Sequence, residues 1–269
     1  MIRDITIGQY YQTESIIHKL DSRVKVIATL VYIISLFCFN NFSGYILAAL
    51  FFLCIVKLSK VPFKFIVKGL KPIMFMLIFT AALNLLWTPG EHILFEAGAI
   101  VITLEGIKKM AFMALRLIFL IIGSSLMTLT TTPNQLTDAI EHLLRSLNYI
   151  KVPVHEVAMM MSIALRFIPI LIEETDKIMK AQLARGADFE SGNIIHRIKS
   201  MIPILIPLFV SAARRANDLA LAMDSRCYHG GRGRTKMKPL KYKSCDFIAY
   251  FILLCYIVLL IIIKKFVPF

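Results

Sequence analysis

FIAYFILLCYIVLLIII, the stretch from Phe247 to Ile263, contains no charge and no turn former. A bilayer crossing needs about 20 mostly apolar residues, and this run reaches that length with its flanks. Val26 to Phe37, Tyr45 to Val56 and Ile73 to Trp87 are uncharged runs of the same kind. The whole chain of 269 residues is 58% hydrophobic, against about 45–50% for soluble domains. Most of it must therefore face lipid or other apolar helices. The reading that follows is an all-α integral membrane protein with about five transmembrane helices. They fall near Val24 to Asn40, Tyr45 to Val56, Ile73 to Trp87, Ile100 to Met127 and Cys245 to Ile263. The fourth carries Lys108, Lys109 and Arg116; Arg116 lies deepest and should face protein rather than lipid.

The formal net charge of +14 raises the question of nucleic acid, and its distribution argues against it. Lys57, Lys60, Lys64, Lys68 and Lys71 crowd one short loop without an acid. Arg226, Arg232, Arg234, Lys236, Lys238, Lys241 and Lys243 form a second such block, whereas Pro89 to Leu104 carries Glu91 and Glu96 and no cation. This is the positive-inside asymmetry of a multi-pass protein of the cytoplasmic membrane. Between Pro62 and Pro72, phenylalanines and aliphatics alternate with the lysines, which places that piece at the interface. The start, Met1-Ile2-Arg3-Asp4, is polar, so no cleaved signal peptide is expected. Asp21 is placed as N-cap of the first span, with Arg23 and Lys25 at headgroup level. Cys38, Cys54, Cys227, Cys245 and Cys255 make no C-x-x-C pair and read as small hydrophobes.

Between the fourth and fifth spans the pattern changes. Thr132-Pro133-Asn134-Gln135 is a helix start, with threonine as N-cap, proline at N1 and glutamine at N3. Two long amphipathic patterns follow. Val157, Met161, Ala164, Ile168, Leu171, Thr175 and Ile178 mark the first; Ile198, Ile202, Leu205, Phe209, Ala212, Ala216, Leu219 and Met223 mark the second. Intervals of three and four are helical. Pro169 in the first and Pro203 and Pro207 in the second are expected hinge or kink points. Each pattern runs from an apolar half to a charged half and closes on an arginine triplet: Ala184-Arg185-Gly186 and Ser225-Arg226-Cys227, the arginines 41 residues apart. Three amphipathic helices on the cytoplasmic side thus join the five spans. The domains are 1–131 (spans one to four with a juxtamembrane N-terminus), 132–243 (coupling helices) and 244–269 (the C-terminal span).

No G-x-x-x-x-G-K-[ST] loop is present, and Gly230-Gly231-Arg232-Gly233-Arg234-Thr235 follows no strand. His155-Glu156 begins an H-E-x-x-H pattern, but Met159 ends it. No catalytic constellation, metal site or cofactor site is expected. Energy must come from a partner.

Ser15 to Lys25, Thr130-Thr131-Thr132-Pro133, Leu165-Arg166-Phe167-Ile168-Pro169, Gln182 to Gly186 and Met223 to Tyr228 together resemble, in order, the motifs of the transmembrane (T) component of energy-coupling factor transporters. The most specific are the two X-Arg-X triplets. Ser22 departs from the usual proline, and Ser-Arg-Cys from the usual Ala-Arg-Gly. The resemblance implies a complex with two ABC-type ATPase subunits, which bind the ATP, and a small membrane-embedded substrate-binding S component. It implies uptake of a vitamin or a transition-metal ion. It also implies that Ala184, Arg185, Gly186, Ser225, Arg226 and Cys227 meet the ATPases.

The residues themselves leave alternatives. A terminal arginine can cap its own helix carbonyls. Arg166 can pair with a carboxylate such as Glu173, and Met159, Met160 and Met161 can fill a core or form an adaptable docking patch. At the level of the whole chain, a permease half that binds substrate itself, an intramembrane hydrolase and a structural membrane protein are the rivals. The hydrolase lacks paired acids or histidines in its spans.

Overall fold

The computed structural model describes residues 10–39, 41–88, 93–97, 100–189, 193–231, 237 and 239–266. The expected outer turn at Asn40, the acid-bearing Glu91, and Arg232, Gly233, Arg234, Thr235, Lys236 and Lys238 of the basic block lie outside the described residues. The helices are α1 (Ile16–Lys19), α2 (Ser22–Cys38), α3 (Phe42–Ser59), α4 (Phe63–Lys68), α5 (Met74–Trp87), α6 (Leu104–Thr130), α7 (Pro133–Leu144), α8 (Val154–Ala184), α9 (Ile194–Asp224) and α10 (Ser244–Phe266). The helical membrane class holds, with one addition: β1 (Ile93–Ala97) and β2 (Ile100–Thr103) pair as an antiparallel hairpin. The fourth span therefore starts at Leu104 and not at Ile100. Ile100, Val101, Ile102 and Thr103 are β-branched and suit a strand. The Thr103 hydroxyl then accepts from the Gly106 amide (3.1 Å) and caps α6.

Among the described residues five helical segments of 18 residues or more are apolar enough to cross a membrane: Phe42–Ser59, Phe63–Trp87, Leu104–Thr130, Val154–Ala184 and Ser244–Phe266. α2, the expected first span, has 17 residues and lies at the short end of the range for a crossing. α8 joins the set because its first half is apolar.

The chain divides into two compact units, one of Gly8–Ala139 with Leu240–Phe269 and one of Ile140–Pro239. The core of the first is built by α2, α3, α6 and α10, with Leu36, Ala48 and Ile66 fully buried beside Tyr32, Phe52, Ile122, Leu126 and Tyr256. Within that core the Ser35 hydroxyl and the Tyr256 phenol hydrogen-bond at 2.9 Å. Arg116 faces protein as expected: its Nε donates to the Tyr45 hydroxyl (3.2 Å) and an Nη to the Phe39 carbonyl (3.4 Å). That carbonyl is at the C-cap of α2, where a cation is favoured.

The start of α2 departs from the expectation in one respect. Asp21 is the N-cap, its carboxylate accepting from the Arg23 amide at 2.9 Å. Arg23 and Lys25, however, are buried within the protein, at 3% and 7% exposure, and do not reach outward from it. The Arg23 guanidinium grips Asp21 through Nε (3.1 Å) and Nη2 (2.8 Å) and stacks on the Tyr242 ring at 3.9 Å. Lys25 donates to the Thr130 carbonyl (2.9 Å), at the end of α6, and to the His18 carbonyl (3.2 Å), at the end of α1. Burial, with the Lys25 ammonium nearby, holds the His18 imidazole below its ordinary pKa. Asp246 joins the cluster to α10, accepting from the Asp21 amide (2.8 Å) and the Lys243 amide (2.7 Å).

In the second unit, α8 and α9 are each 31 residues long and pack on each other. Glu174 binds Arg215 at 3.1 Å, and the Gln182 amide donates to the Pro203 carbonyl at 3.4 Å. As the α8 number rises the α9 number falls, so the pair is antiparallel. The stripes that marked the two patterns are only in part the seam between them. Ile198 is 61% exposed, Phe209 76% and Met161 44%, whereas Leu219 and Met223 of the second stripe are half-buried. These two line a cleft with Met159, Ile163 and Arg166 of α8, beyond the Glu174–Arg215 pair.

Asp246 is the joint on which the starts of α2 and α10 depend. Asp246→Ala removes a buried carboxylate that accepts from two part-buried amides and should lower stability by about 1.5–3 kcal/mol, with Asp246→Asn less severe. Thermal unfolding of the intact detergent-solubilised chain measures both.

Candidate coupling site

The two arginine triplets turn out to be one structure made twice. In the first, the amides of Arg185 and Ala187 both donate to the Gln182 carbonyl (3.0 Å each), and the Gly186 amide donates to the Leu183 carbonyl (2.9 Å). In the second, the amides of Arg226 and Tyr228 both donate to the Met223 carbonyl (3.1 Å each), and the Cys227 amide donates to the Asp224 carbonyl (2.9 Å). Every bond of one has its counterpart 41 residues on. This is the Schellman ending: a 6→1 and a 5→2 bond around a residue in the left-handed region. Gly186 and Cys227 occupy that position with φ of 86° and 54°. The arginine precedes it in both, so its side chain leaves the helix end from the same place with the same aim.

This geometry removes the self-capping role that the sequence left open. Two carbonyls at each end, those of Gln182 and Leu183 and those of Met223 and Asp224, are taken by backbone amides. The Arg185 and Arg226 side chains are exposed and make no ion pair or hydrogen bond within the described residues. A guanidinium is always charged and offers five donors in a planar fork. Two of them stand ready for carboxylates or carbonyls outside this chain.

Because the helices are antiparallel, the tips stand at opposite ends of the pair. Arg226 lies beside Met159, Ile163 and Arg166 near the start of α8, while Gln182, one turn before Arg185, lies beside Pro203. At the helical rise the tips are about 35 Å apart along the pair. Pro169, Pro203 and Pro207 lie inside the helices, each removing one backbone donor.

The approach to α8 is fastened by side chains. Thr132 and Gln135 form a reciprocal capping box: the Gln135 amide donates to the Thr132 hydroxyl and the Thr132 amide to the Gln135 side chain, both at 3.3 Å. His155 Nδ1 lies 2.9 Å from a Glu141 carboxylate oxygen. Among the described residues no cluster of His, Cys, Asp or Glu could hold a metal ion. The Schellman endings were not anticipated. Gly186 was the available signal, since glycine favours C′; a cysteine at Cys227 gives none.

Comparison with known proteins converges on one family. The profile of the CbiQ family, described as cobalt transport protein, matches residues 13–237. An energy-coupling factor transporter transmembrane protein EcfT of Clostridium kluyveri is 57% identical over 97% of this chain and 96% of its own length. The protein of that name from Ruminiclostridium cellulolyticum is 55% identical over 91% and 92%. That of Bacillus subtilis is 47% identical over 91% and 93%.

A Cβ at Gly186 would meet nothing within 4 Å, so Gly186→Ala isolates the left-handed backbone cost. It should destabilise the intact chain by about 1 kcal/mol, and Cys227→Gly should stabilise it by a similar amount. Both are read as shifts in thermal unfolding midpoint.

Proposed function

This chain belongs to the CbiQ family, among the transmembrane components of energy-coupling factor transporters, and we propose that it carries ATP-driven motion from two ABC-type ATPase subunits to an S component that holds the substrate. The substrate class is a vitamin or a transition-metal ion, selected by the S component and taken up across the cell membrane. ATP is bound and hydrolysed on the partners, and this chain contributes no catalytic residue.

One observation supports this reading above the others: two superimposable helix endings, each presenting a free guanidinium, at opposite ends of one antiparallel pair. Two equal tips suit two homologous sockets. Arg185 and Arg226 each plug into one ATPase subunit, with Ala184, Gly186, Ser225 and Cys227 shaping the contact around them. Each helix is rigid and carries one tip, so a change in socket separation must scissor the pair or slide its seam. The exposed apolar stripes of both helices, Met161 and Ile168 on α8 and Ile198, Leu205 and Phe209 on α9, then move against whatever apolar surface they meet. Pro169, Pro203 and Pro207 supply the bending points. Apolar contact holds the assembly, and the arginines set its register.

A permease half that bound its own substrate needs free polar groups among its spans. In the first unit several polar side chains of the spans are engaged, Ser35 with Tyr256, Arg116 with Tyr45, and the Asn84 amide with the Thr80 carbonyl at 2.8 Å, while the buried Tyr32 and Ser43 hydroxyls have no partner among the described residues. The case for coupling over direct binding therefore rests on the paired helix endings.

Truncating one partner of a buried hydrogen-bonded charge pair costs about 2–5 kcal/mol, so reversing the charge at both tips should disconnect the ATPases. Arg185→Glu with Arg226→Glu is expected to abolish substrate uptake by the reconstituted transporter and to free ATP hydrolysis from substrate control, with the S component still co-purifying. Uptake at the parental rate by that double variant in an intact assembly refutes the coupling role.

A further inference from the structure

Arg166 has remained without a role. The expected pairing with Glu173 is absent from the ion pairs and hydrogen bonds of the described residues, and Arg166 is exposed. Its neighbours on the seam explain what it lacks. Two turns further along α8, Glu174 lies on the same face and neutralises Arg215 of α9 at 3.1 Å. Beyond that pair, toward the Arg226 end, the seam opens into a cleft of about 560 Å³. Its apolar walls include Met159, Ile163, Leu219 and Met223, and Arg166 and Arg226 enter it from different helices. No acidic side chain is among the described residues that line it. One end of the seam thus has its cation matched, and the other has two cations and no anion.

We propose that this cleft is a composite socket for an acidic segment of the ATPase subunit that receives Arg226, with Arg166 as its second anchor. The inference rests on the coupling role given above. The chemistry called for is a carboxylate, or two spaced along one helix or loop, beside an apolar side chain. The guanidiniums would take the carboxylates bidentately, and Met159 and Met223, flexible and polarizable, adjust to the apolar part. At this end the partner grips both helices: Arg226 on α9 and Arg166 in the body of α8. Arg226 is then one wall of a receiving site as well as a projecting tip.

The test uses the full chain with its co-expressed ATPase subunits and S component, in nanodiscs of phosphatidylcholine alone. ATPase-subunit binding is measured for Arg166→Ala, Arg166→Glu, Arg226→Glu and the two glutamates together. Arg166→Ala should weaken binding at least about fivefold and Arg166→Glu more. The double variant should lose less than the product of its single losses, because both arginines serve one ligand. Retention of the S component should not change, and Arg166→Lys should recover part of the binding. A photo-crosslinking residue in place of Ser162, which also lines the cleft, should capture an ATPase subunit with both arginines intact.

Parental binding by Arg166→Ala and Arg166→Glu alongside weakened Arg226→Glu overturns the composite socket and leaves the coupling role standing. Parental binding by all variants overturns the composite socket, and parental uptake by Arg226→Glu in the same assembly overturns the coupling role as well. An Arg166 effect seen only when anionic phospholipid is added, or capture of lipid alone from position 162, assigns the cleft to a headgroup phosphate and overturns the acidic-segment proposal.

Discussion

An α-helix ends with four carbonyls that its own ladder cannot satisfy, and how they are satisfied decides what the last side chains are free to do. In α8 and α9 the backbone does it, through amides at Arg185, Gly186 and Ala187 and at Arg226, Cys227 and Tyr228. A side-chain cap would have consumed the arginine. A main-chain cap leaves it unspent and fixes its point of departure by three hydrogen bonds. The second ending accepts a non-glycine residue in the left-handed region, at Cys227, which is unfavourable for any side chain with a Cβ. That the geometry persists there despite the cost ties it to the arginine it positions.

Cations elsewhere in the chain are used in the opposite sense. Arg23 is locked to Asp21 and stacked on Tyr242, Lys25 bonds the terminal carbonyls of α1 and α6, and Arg116 bonds the last carbonyl of α2. Each fastens a helix end from inside the first unit. A buried charge left without a partner costs several kcal/mol, so internal cations have to be satisfied within the chain. Only an exposed one can be held in reserve. The bonding state of each arginine therefore separates two groups: Arg23 and Arg116 are engaged inside the first unit, whereas Arg166, Arg185 and Arg226 are exposed and are the ones the coupling proposal draws on.

Local signals in the sequence were legible where a few neighbouring residues settle the matter. The Thr132–Gln135 capping box, Asp21 as N-cap, the short helix between Pro62 and Pro72, and the ends of the two long helices all follow from such neighbours. What escaped depends on distant partners or on patterns that two structures share. That Arg23 is buried could not be read from its neighbours, because Asp246 and Tyr242, more than two hundred residues away, complete its surroundings. Ile100 to Thr103 is an apolar run, and periodicity cannot divide such a run between strand and span. The coupling helices were legible as helices, yet their stripes locate the seam only in part. Spacing by threes and fours identifies an apolar face without saying whether it meets the sister helix or something outside. Phe209 and Ile198 face outward, and the seam runs through Glu174 and Arg215.

The antiparallel pairing constrains how α8 can relate to a membrane. By length and apolarity α8 qualifies as a crossing, but an antiparallel pair that crossed a bilayer would place its two C-terminal tips on opposite faces. The coupling role proposed above requires both on one. With the tips about 35 Å apart along the helices, that requirement is met only if the pair runs along the membrane face and not through it. The apolar window of α8 and the outward stripe of α9 are then surfaces for lipid headgroup regions and apolar partners. A separation of that size is also what two side-by-side globular subunits demand of a single connecting element. The same two helices therefore have to be long for reach and apolar on one face for contact, and this combination makes a coupling helix imitate a transmembrane one in sequence.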